Sequence, residues 1–324
     1  ARAVAVRIRA LVAASMLAVL AAVACGEAKE PVPERPSPTP EVTASRTTGS
    51  RTVVDMIGRS ILVNDDVQTV VALSPSAADF AVALGLAVIG RTSDTPEPAG
   101  PGAKVTGSTI SPDFNAIAAL DPDLVIADAA YHSGRTRDFD RFALPVFVVK
   151  ANSYAEVLTA LMALGEATGR DAKATDAVNA LEQKAGDVIA AAKAKGATTA
   201  APKVLILTGG GRDVFAGGDA SYLGDLVHTL GGTNVFATAD DSGPIAGYGV
   251  VDVGQAATLA PDVVLVLSSG TGGLAEEVKA SPAWAGSAAV RNGRVYELDT
   301  GLFLRAPGPR VGEALETLLP LLWP

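Results

Sequence analysis

Short apolar runs alternate with helical segments from residue 52 onward. In the first half these runs predict strands at residues 69–73, 87–90, 124–127 and 145–149, a short strand near 104–105, and a hairpin formed by 52–56 and 60–63. Runs such as Leu124-Val125-Ile126-Ala127 have no polar face, which is typical of parallel strands covered by helices on both sides. The pattern predicts an α/β lobe at residues 52–150.

The apolar spacing becomes helical between residues 153 and 195. Apolar side chains recur there at i, i+3, i+4 and i+7, and Gly169 interrupts the pattern. The second part, residues 172–195, predicts a helix about 36 Å long at 1.5 Å per residue. We therefore expect a helical connector at residues 151–200.

The second half repeats the alternation, with strands predicted at residues 203–207, 263–267 and 294–298 and helices near 222–230, 255–259 and 311–322. Two segments echo each other: AIAALDPDLVIAD at 116–128 and QAATLAPDVVLVL at 255–267. In both, an Ala-rich helix ends at Leu, a Pro-Asp pair breaks the chain, and a buried strand follows.

The echo indicates two lobes built on one plan. The predicted fold class is therefore α/β, with a second lobe at residues 201–324 joined to the first by the long helix. Because ligands bind beyond the carboxyl ends of parallel strands, the loops at 128–137 and 268–273 are expected to line one cleft.

The N-terminal segment is typical of a targeting signal. Three arginines precede an apolar run at residues 10–24, and the single cysteine of the chain, Cys25, follows it directly. The run is shorter than the roughly 20 residues that a membrane-spanning helix needs. We interpret residues 1–24 as a lipoprotein signal peptide whose acylated Cys25 anchors the protein outside the cytoplasm; an uncleaved membrane anchor is the alternative. The Pro-rich residues 25–51 are expected to form a disordered tether.

Composition narrows the possible partners. Asp and Glu (35) outnumber Lys and Arg (26), giving a net charge of -9, so a nucleic-acid partner is disfavoured. Only two histidines are present, which excludes a site that needs three imidazoles. The sequence indicates no intrinsic cofactor.

Several motifs together resemble those of class III periplasmic binding proteins. They include VVDMIGRSILV, VVALSPSAADFAVALGLAVIG, IAALDPDLVIAD, AGGDASYLGDLVHTLGGTNVF, AVRNGRVYELD and APGPRVGEAL, in that order. The resemblance covers nearly all of residues 52–324. It implies two α/β lobes joined by a rigid backbone helix, and delivery of an iron–siderophore complex, haem or cobalamin to an ABC importer, whose permease and ATPase are the partners.

The chain departs from this family at its docking carboxylates. The resemblance implies an exposed Glu in each lobe, seven residues before the Pro of the Pro-Asp pair, but those positions hold Asn115 and Gly254. Asp113 and Asp252 each lie two residues earlier. Either these aspartates supply the charges that dock on the permease, or they cap helices.

Candidate ligand-binding residues follow the predicted strands. Tyr131 and His132 lie in the first cleft loop, and either could ligate the iron of haem or of another chelate. Arginine side chains would suit anionic siderophores or haem propionates. The full predicted set is Tyr131, His132, Arg135, Arg212, Tyr248, Phe303 and Arg305. We interpret His228 as structural, and Arg310 as part of the start of the last helix.

The sequence favours a binding protein over an enzyme. It contains neither the G-x-S-x-G stretch of a nucleophile elbow nor an H-E-x-x-H zinc motif. The predicted function is a lipid-anchored receptor that captures an iron chelate, either a ferric siderophore or haem, in the cleft between the lobes. The alternatives are a cobalamin receptor of the same family, and an extracytoplasmic scavenger or hydrolase without an importer.

Overall fold

The computed structural model describes residues 49–96, 101–196, 200–211, 213–238, 242–243, 245–269 and 273–324. The predicted signal peptide, Cys25, nearly all of the predicted tether and Arg212 lie outside these described residues. Within the described residues, no helix combines the length and the hydrophobicity that a membrane span requires.

The first lobe begins with an antiparallel hairpin of β1 (Ser50–Val54) and β2 (Ser60–Asn64), in which Thr52 faces Leu62. A parallel five-stranded sheet follows. Its strands, from one edge to the other, are β5 (Lys104–Val105), β4 (Ala87–Arg91), β3 (Thr69–Ala72), β8 (Leu124–Asp128) and β9 (Val146–Val149). The short strands β6 (Gly107–Ser108) and β7 (Ser111–Pro112) pair separately. The helices of this lobe are α1 (Pro75–Ala83), α2 (Phe114–Ala118), α3 (Ala129–His132) and α4 (Thr136–Arg141).

Two consecutive helices form the connector. The first, α5 (Tyr154–Thr168), ends at Gly169, whose φ of 67° is left-handed and suits glycine. The second, α6 (Asp171–Gly196), has 26 residues and is about 39 Å long at 1.5 Å per residue. It packs against α1 of the first lobe and against α12 (Val311–Leu322) of the second.

The second lobe is built on a mixed six-stranded sheet. Its strands run in the order β13 (Tyr248–Val250), β11 (Asp213–Gly217), β10 (Lys203–Gly210), β14 (Val263–Ser268) and β15 (Val295–Glu297), with β12 (Thr233–Asn234) also beside β10. β11 and β13 are antiparallel to their neighbours, whereas β10, β12, β14 and β15 are parallel. The remaining helices are α7 (Tyr222–Thr229), α8 (Val253–Ala256), α9 (Leu274–Ala280), α10 (Ala288–Arg291) and α11 (Thr300–Phe303).

The sequence echo has a structural cause that is the same in both lobes. The residue before the echoed proline is left-handed in each case: φ is 46° at Asp121 and 49° at Ala260. The aspartate after the proline then bonds the start of the neighbouring central strand. Asp123 Oδ2 accepts from the backbone N–H of Thr69 at 2.8 Å, and Asp262 Oδ2 accepts from that of Lys203 at 2.9 Å.

The predicted fold class is confirmed: two α/β lobes are joined by a long helix. The apolar strands β8 and β14 are buried along almost their whole length, as their lack of a polar face indicates. The antiparallel strands β11 and β13 were not predicted, because each is short and carries glycine.

Candidate functional site

A small cavity lies between the lobes where β8 ends. Asp128 and Tyr131 line it from the first lobe, and Tyr222, Tyr248 and Phe303 line it from the second. We call it the tyrosine cavity. Its volume of about 30 Å³ leaves space for only one or two water molecules.

Burial keeps the three phenols of this cavity protonated. It raises the pKa of Tyr131 to about 12, and the carboxylate of Asp128 adds to the effect. The pKa values of Tyr222 and Tyr248 are also raised by burial. At neutral pH these side chains are therefore uncharged groups that can donate or accept hydrogen bonds.

The hydroxyl of Tyr222 is buried in the wall of the cavity without a hydrogen bond of normal geometry, although the backbone N–H of Gly308 is close to it. Tyr248 differs, since its hydroxyl interacts with the side chain of Ser221. A buried hydroxyl without a partner costs free energy, which a ligand oxygen could recover.

Asp128 places a carboxyl group at the carboxyl end of β8. The side chain caps α3 by accepting from the backbone N–H of Ala130 at 2.9 Å, and it lies 3.4 Å from the hydroxyl of Ser74. Burial raises the pKa of Asp128 to about 6, because its effect is larger than that of these two hydrogen bonds, which lower the pKa. Sequence analysis missed this residue, although it directly follows a predicted strand at the expected ligand edge.

The structure does not bring His132, one of the two predicted iron ligands, to the lining of either cavity. The side chain is fully buried, and both ring nitrogens bond to the backbone. Nε2 donates to the carbonyl of Thr109 at 2.9 Å, and Nδ1 accepts from the N–H of Asp128 at 3.0 Å. Burial also lowers the pKa of His132, so the ring is neutral with no free lone pair for iron.

A second, larger cavity lies between α1 and the segment at residues 299–310. Asp79 and Asp94 line it from the first lobe, and Asp299 and Arg305 line it from the second. We call it the aspartate cavity. Its volume of about 730 Å³ is in the range of small-molecule sites.

The carboxylates of the aspartate cavity differ in environment. Burial raises the pKa of Asp79 to about 6, partly offset by the nearby guanidinium of Arg310. Burial acts in the same direction on Asp94, but hydrogen bonds from Thr109 and Thr92 outweigh it and hold the pKa of Asp94 below its usual value.

The segment at residues 299–310 separates the two cavities. Phe303 and Pro307 face the tyrosine cavity, whereas Arg305 and Arg310 line the aspartate cavity. The hydroxyl of Ser76 in α1 donates to the carbonyl of Pro307 at 2.6 Å, which holds the two lobes together beside both cavities. We treat the two cavities as one inter-lobe cleft.

The structure brings four predicted residues to this cleft: Tyr131, Tyr248, Phe303 and Arg305. Arg135 does not line either cavity. Its guanidinium donates to the carbonyl of Ile110 at 2.8 Å and lies 3.8 Å from Asp138.

Two residues named in the sequence lie in helices. His228 is exposed on α7, in a groove beside Trp323. Arg310 starts α12, as predicted, and also reaches the cleft.

Asp113 and Asp252 are exposed and occupy equivalent positions in the two lobes. Each caps a helix: Asp113 accepts from the backbone N–H groups of Asn115 and Ala116, and Asp252 accepts from that of Gln255. Capping and an exposed negative charge are compatible, because an N-cap carboxylate keeps its second oxygen toward solvent.

Comparison with known proteins decides the family. The family model described as Periplasmic binding protein matches residues 70–301, which form most of both lobes. The chain belongs to the periplasmic binding protein family. Members of this family are binding proteins, and the resemblance found in the sequence motifs is confirmed.

Two relatives of this periplasmic binding protein come from Bacillus subtilis (strain 168). The chain is 25% identical over 280 residues to the uncharacterized ABC transporter substrate-binding lipoprotein YvrC, covering 84% of this chain and 85% of that protein. It is 24% identical over 280 residues to the Fe(3+)-citrate-binding protein YfmC, covering 83% and 84% respectively.

The fold is shared with solved structures of the class III type. The crystal structure of an ABC transporter substrate-binding protein from Listeria monocytogenes EGD-e is 26% identical and superimposes with a TM-score of 0.66, covering 80% of this chain and 99% of that chain.

Proposed function

We propose that this periplasmic binding protein captures a ferric chelate between its two lobes and presents it to the permease and ATPase of an ABC importer. The observation that carries the proposal is the cleft: a cavity of about 730 Å³ lies between the lobes, and a small tyrosine-lined recess lies on the other side of the segment at residues 299–310, at the carboxyl end of a parallel strand. The two relatives from Bacillus subtilis, an ABC transporter substrate-binding lipoprotein and an Fe(3+)-citrate-binding protein, support the transport context and the ferric ligand. The protein acts outside the cytoplasm, held by lipid on Cys25, and it has no catalytic step.

The cleft residues have distinct roles in this proposal. Tyr131, which is half-buried, offers a neutral hydroxyl to the ligand, and Tyr248 and Phe303, which are almost fully buried, form the wall of the recess behind it. Arg305 lies exposed at the aspartate cavity, where it can bond an oxygen of the ligand.

A siderophore-type chelate fits these residues better than haem. Haem iron needs an axial ligand. His132 has both nitrogens engaged, and the raised pKa of Tyr131 opposes the phenolate form that would bind iron. A chelate that already fills the iron coordination sphere needs only contacts from the protein.

The test is a set of absorbance and fluorescence titrations of the purified full chain with ferric siderophores, haemin and cyanocobalamin. The proposal expects saturable binding of at least one ferric siderophore and at least tenfold weaker binding in Tyr131→Ala. His228→Ala, on the exposed face of α7, is the matched control and keeps full affinity. Saturable binding of cyanocobalamin without any ferric chelate would make the protein a cobalamin receptor instead.

A haemin titration separates the remaining alternative. A saturable Soret shift that is lost in Tyr131→Phe contradicts the siderophore assignment and establishes a haem receptor with a tyrosine ligand. Absence of binding to every metal complex contradicts the receptor function itself.

We also propose that Asp113 and Asp252 dock the protein on its permease. Both are exposed, both occupy the same place in the two echoed lobes, and their spacing from the Pro-Asp pair is identical. Their capping bonds fix each carboxylate at a helix start.

A further inference from the structure

The described lining of the inter-lobe cleft carries more negative than positive groups. Four carboxylates face the two cavities, against two guanidiniums: the set is Asp79, Asp94, Asp128 and Asp299 against Arg305 and Arg310. Charged clefts with low-dielectric walls concentrate ligands of the opposite sign. Anionic ligands are usually bound by arginine-rich surfaces, whereas this lining has a net negative charge and would repel them.

One of the two guanidiniums is already neutralised by a neighbour. Arg310 bonds Glu313 through two contacts, Nε to Oε2 at 2.9 Å and a terminal nitrogen to Oε1 at 3.2 Å. Arg305 makes no ion pair with any of the described residues, so it is the cation left to face a ligand.

Three of the four carboxylates, Asp79, Asp94 and Asp128, are mostly ionised at neutral pH. The hydrogen bonds that Thr109 donates to Asp94 favour its ionised form, and Asp299 is exposed to solvent. Asp79 and Asp128, with pKa values of about 6, are mostly ionised at pH 7.

The tyrosine cavity gives an independent indication that the ligand carries a hydrogen-bond acceptor. Tyr222 is 5% exposed, and its buried hydroxyl has no hydrogen-bond partner of normal geometry. As a protonated phenol it can donate to a neutral oxygen, such as the carbonyl of a hydroxamate or an amide. Among the described residues, no group of three or more His, Cys, Asp or Glu side chains is arranged to hold a metal ion, and both nitrogens of His132 are bonded.

We propose that the cleft selects a coordinatively saturated ferric complex of zero or positive net charge, such as a ferric trihydroxamate, over anionic ferric complexes. This inference rests on the proposed function and narrows its substrate class. It separates the chain from its ferric citrate-binding relative, because ferric citrate is anionic.

The test compares ligands that differ only in charge. Ferrioxamine B carries a terminal ammonium group; its N-acetyl derivative is neutral, and its N-succinyl derivative ends in a carboxylate. All three share the same iron coordination. Isothermal titration of the purified full chain at low salt is expected to give affinities that fall in this order, by about five- to tenfold for each step from ammonium to carboxylate. A trianionic ferric tricatecholate is expected to bind more weakly than any of the three.

Variants tie the preference to the cleft. Asp79→Asn and Asp299→Asn are each expected to reduce the ratio of ferrioxamine B affinity to N-succinyl affinity about three- to fivefold, and Arg305→Gln is expected to increase it. Asp187→Asn is the matched control, since Asp187 is an exposed aspartate of α6 outside both cavities. It leaves the ratio unchanged.

The outcomes separate this inference from the proposed function. Tighter binding of the tricatecholate or of the N-succinyl derivative overturns the charge selection while a ferric chelate receptor remains. An equal ratio in Asp79→Asn, Asp299→Asn and Asp187→Asn also overturns it. No saturable binding of any ferric complex contradicts the proposed function, and the inference with it.

Discussion

At the scale of single residues, the cleft is made of polar groups that water reaches poorly. Asp128, Tyr131 and Tyr248 are shielded from solvent, and this burial raises the pKa of each side chain. Such groups are costly in the empty protein and become useful when a ligand supplies the missing partners.

The buried histidine makes stability depend on pH. The folded pKa of His132 lies below the ordinary value of about 6.5, so below that pH the unfolded chain binds a proton that the folded chain refuses. The stability that His132 contributes is present above about pH 6.5 and is lost as the pH falls. We expect the free energy of unfolding to drop by about 1 kcal/mol more in the wild type than in His132→Gln between about pH 7.5 and pH 5.5.

Urea unfolding at both pH values measures this difference. The raised pKa of Asp79 and Asp128 acts in the opposite direction, but it is common to both proteins and cancels. His228→Gln, which removes the exposed histidine, is the control and is expected to follow the wild type. A His132→Gln variant with the wild-type pH dependence contradicts the buried neutral ring.

The unpartnered hydroxyl of Tyr222 predicts opposite effects on stability and binding. Tyr222→Phe removes a buried donor without breaking a hydrogen bond, so the ligand-free protein is expected to be as stable as the wild type or more stable by about 1 kcal/mol. Chelate affinity is expected to fall about fivefold or more. Thermal unfolding and calorimetric titration of the same sample measure both; a variant that loses stability and keeps affinity contradicts this role.

Residue roles could be predicted from sequence only in part. Three of the residues at the cleft, Tyr131, Phe303 and Arg305, come after strands in the sequence, and Tyr248, which glycines flank, begins the short strand β13. The burial of His132 could not be foreseen, because its partner Thr109 comes from a distant loop whose path no local pattern encodes.

At the scale of elements, the Pro-Asp echo explains how each lobe fixes its central sheet. In both lobes the aspartate after the proline bonds the first backbone N–H of the neighbouring strand. Asp123 makes additional contacts, since its Oδ2 also accepts from the N–H of Gln68 and from the hydroxyl of Thr69.

Removal of these aspartates tests the shared plan. Asp123→Ala removes the three hydrogen bonds that Oδ2 accepts and is expected to lower the free energy of unfolding by about 2–3 kcal/mol, whereas Asp262→Ala removes the one to Lys203 and costs about 1 kcal/mol. Asn at either position, which keeps an acceptor oxygen, recovers part of the loss. Chemical unfolding of the four variants measures the series, and equal stability of all four would falsify this account of the echo.

The elements themselves were largely predictable, because buried parallel strands and a long amphipathic helix have distinct periodicities. The predicted bounds of α6, β8 and β10 differ from the observed ones by one to three residues. Strand β11 was missed because its five residues are too few to show a clear period and end in glycine.

At the scale of the whole molecule, the proposed function requires an exposed docking face as well as a cleft. Asp113 and Asp252 each start a helix at the same point of the echoed plan, one per lobe, so each lobe exposes one carboxylate at a helix start. In the proposed complex, a permease with two basic pockets would bind both lobes at the same time.

The docking role is separated from capping by the choice of substitution. Asn keeps an N-cap oxygen but removes the charge. The double variant Asp113→Asn/Asp252→Asn is expected to keep wild-type stability and chelate affinity while uptake of iron by cells carrying its importer falls about tenfold. Unchanged uptake contradicts docking through these residues. Asp187→Asn/Asp176→Asn, on exposed positions of α6, is the control for charge alone.

The net charge of the chain and the family motifs could be predicted from the sequence at this scale, but the sign of the net charge that lines the cleft could not. Arginines that suggested an anionic ligand are spread along the chain, and only folding shows that Arg135 faces Ile110 while Asp79 faces the cleft. The domain boundaries and the lipid anchor on Cys25 remain predictions from the sequence.

The most direct test of the central claim is a crystal structure with the tightest-binding ferric chelate, in which anomalous scattering locates the iron. The account predicts one iron peak between α1 and the segment at residues 299–310, with the chelate in contact with Tyr131 or Tyr222 and no protein atom coordinating the metal. An iron peak outside the cleft, such as in the groove beside Trp323, or an iron bonded to a protein side chain, would contradict it.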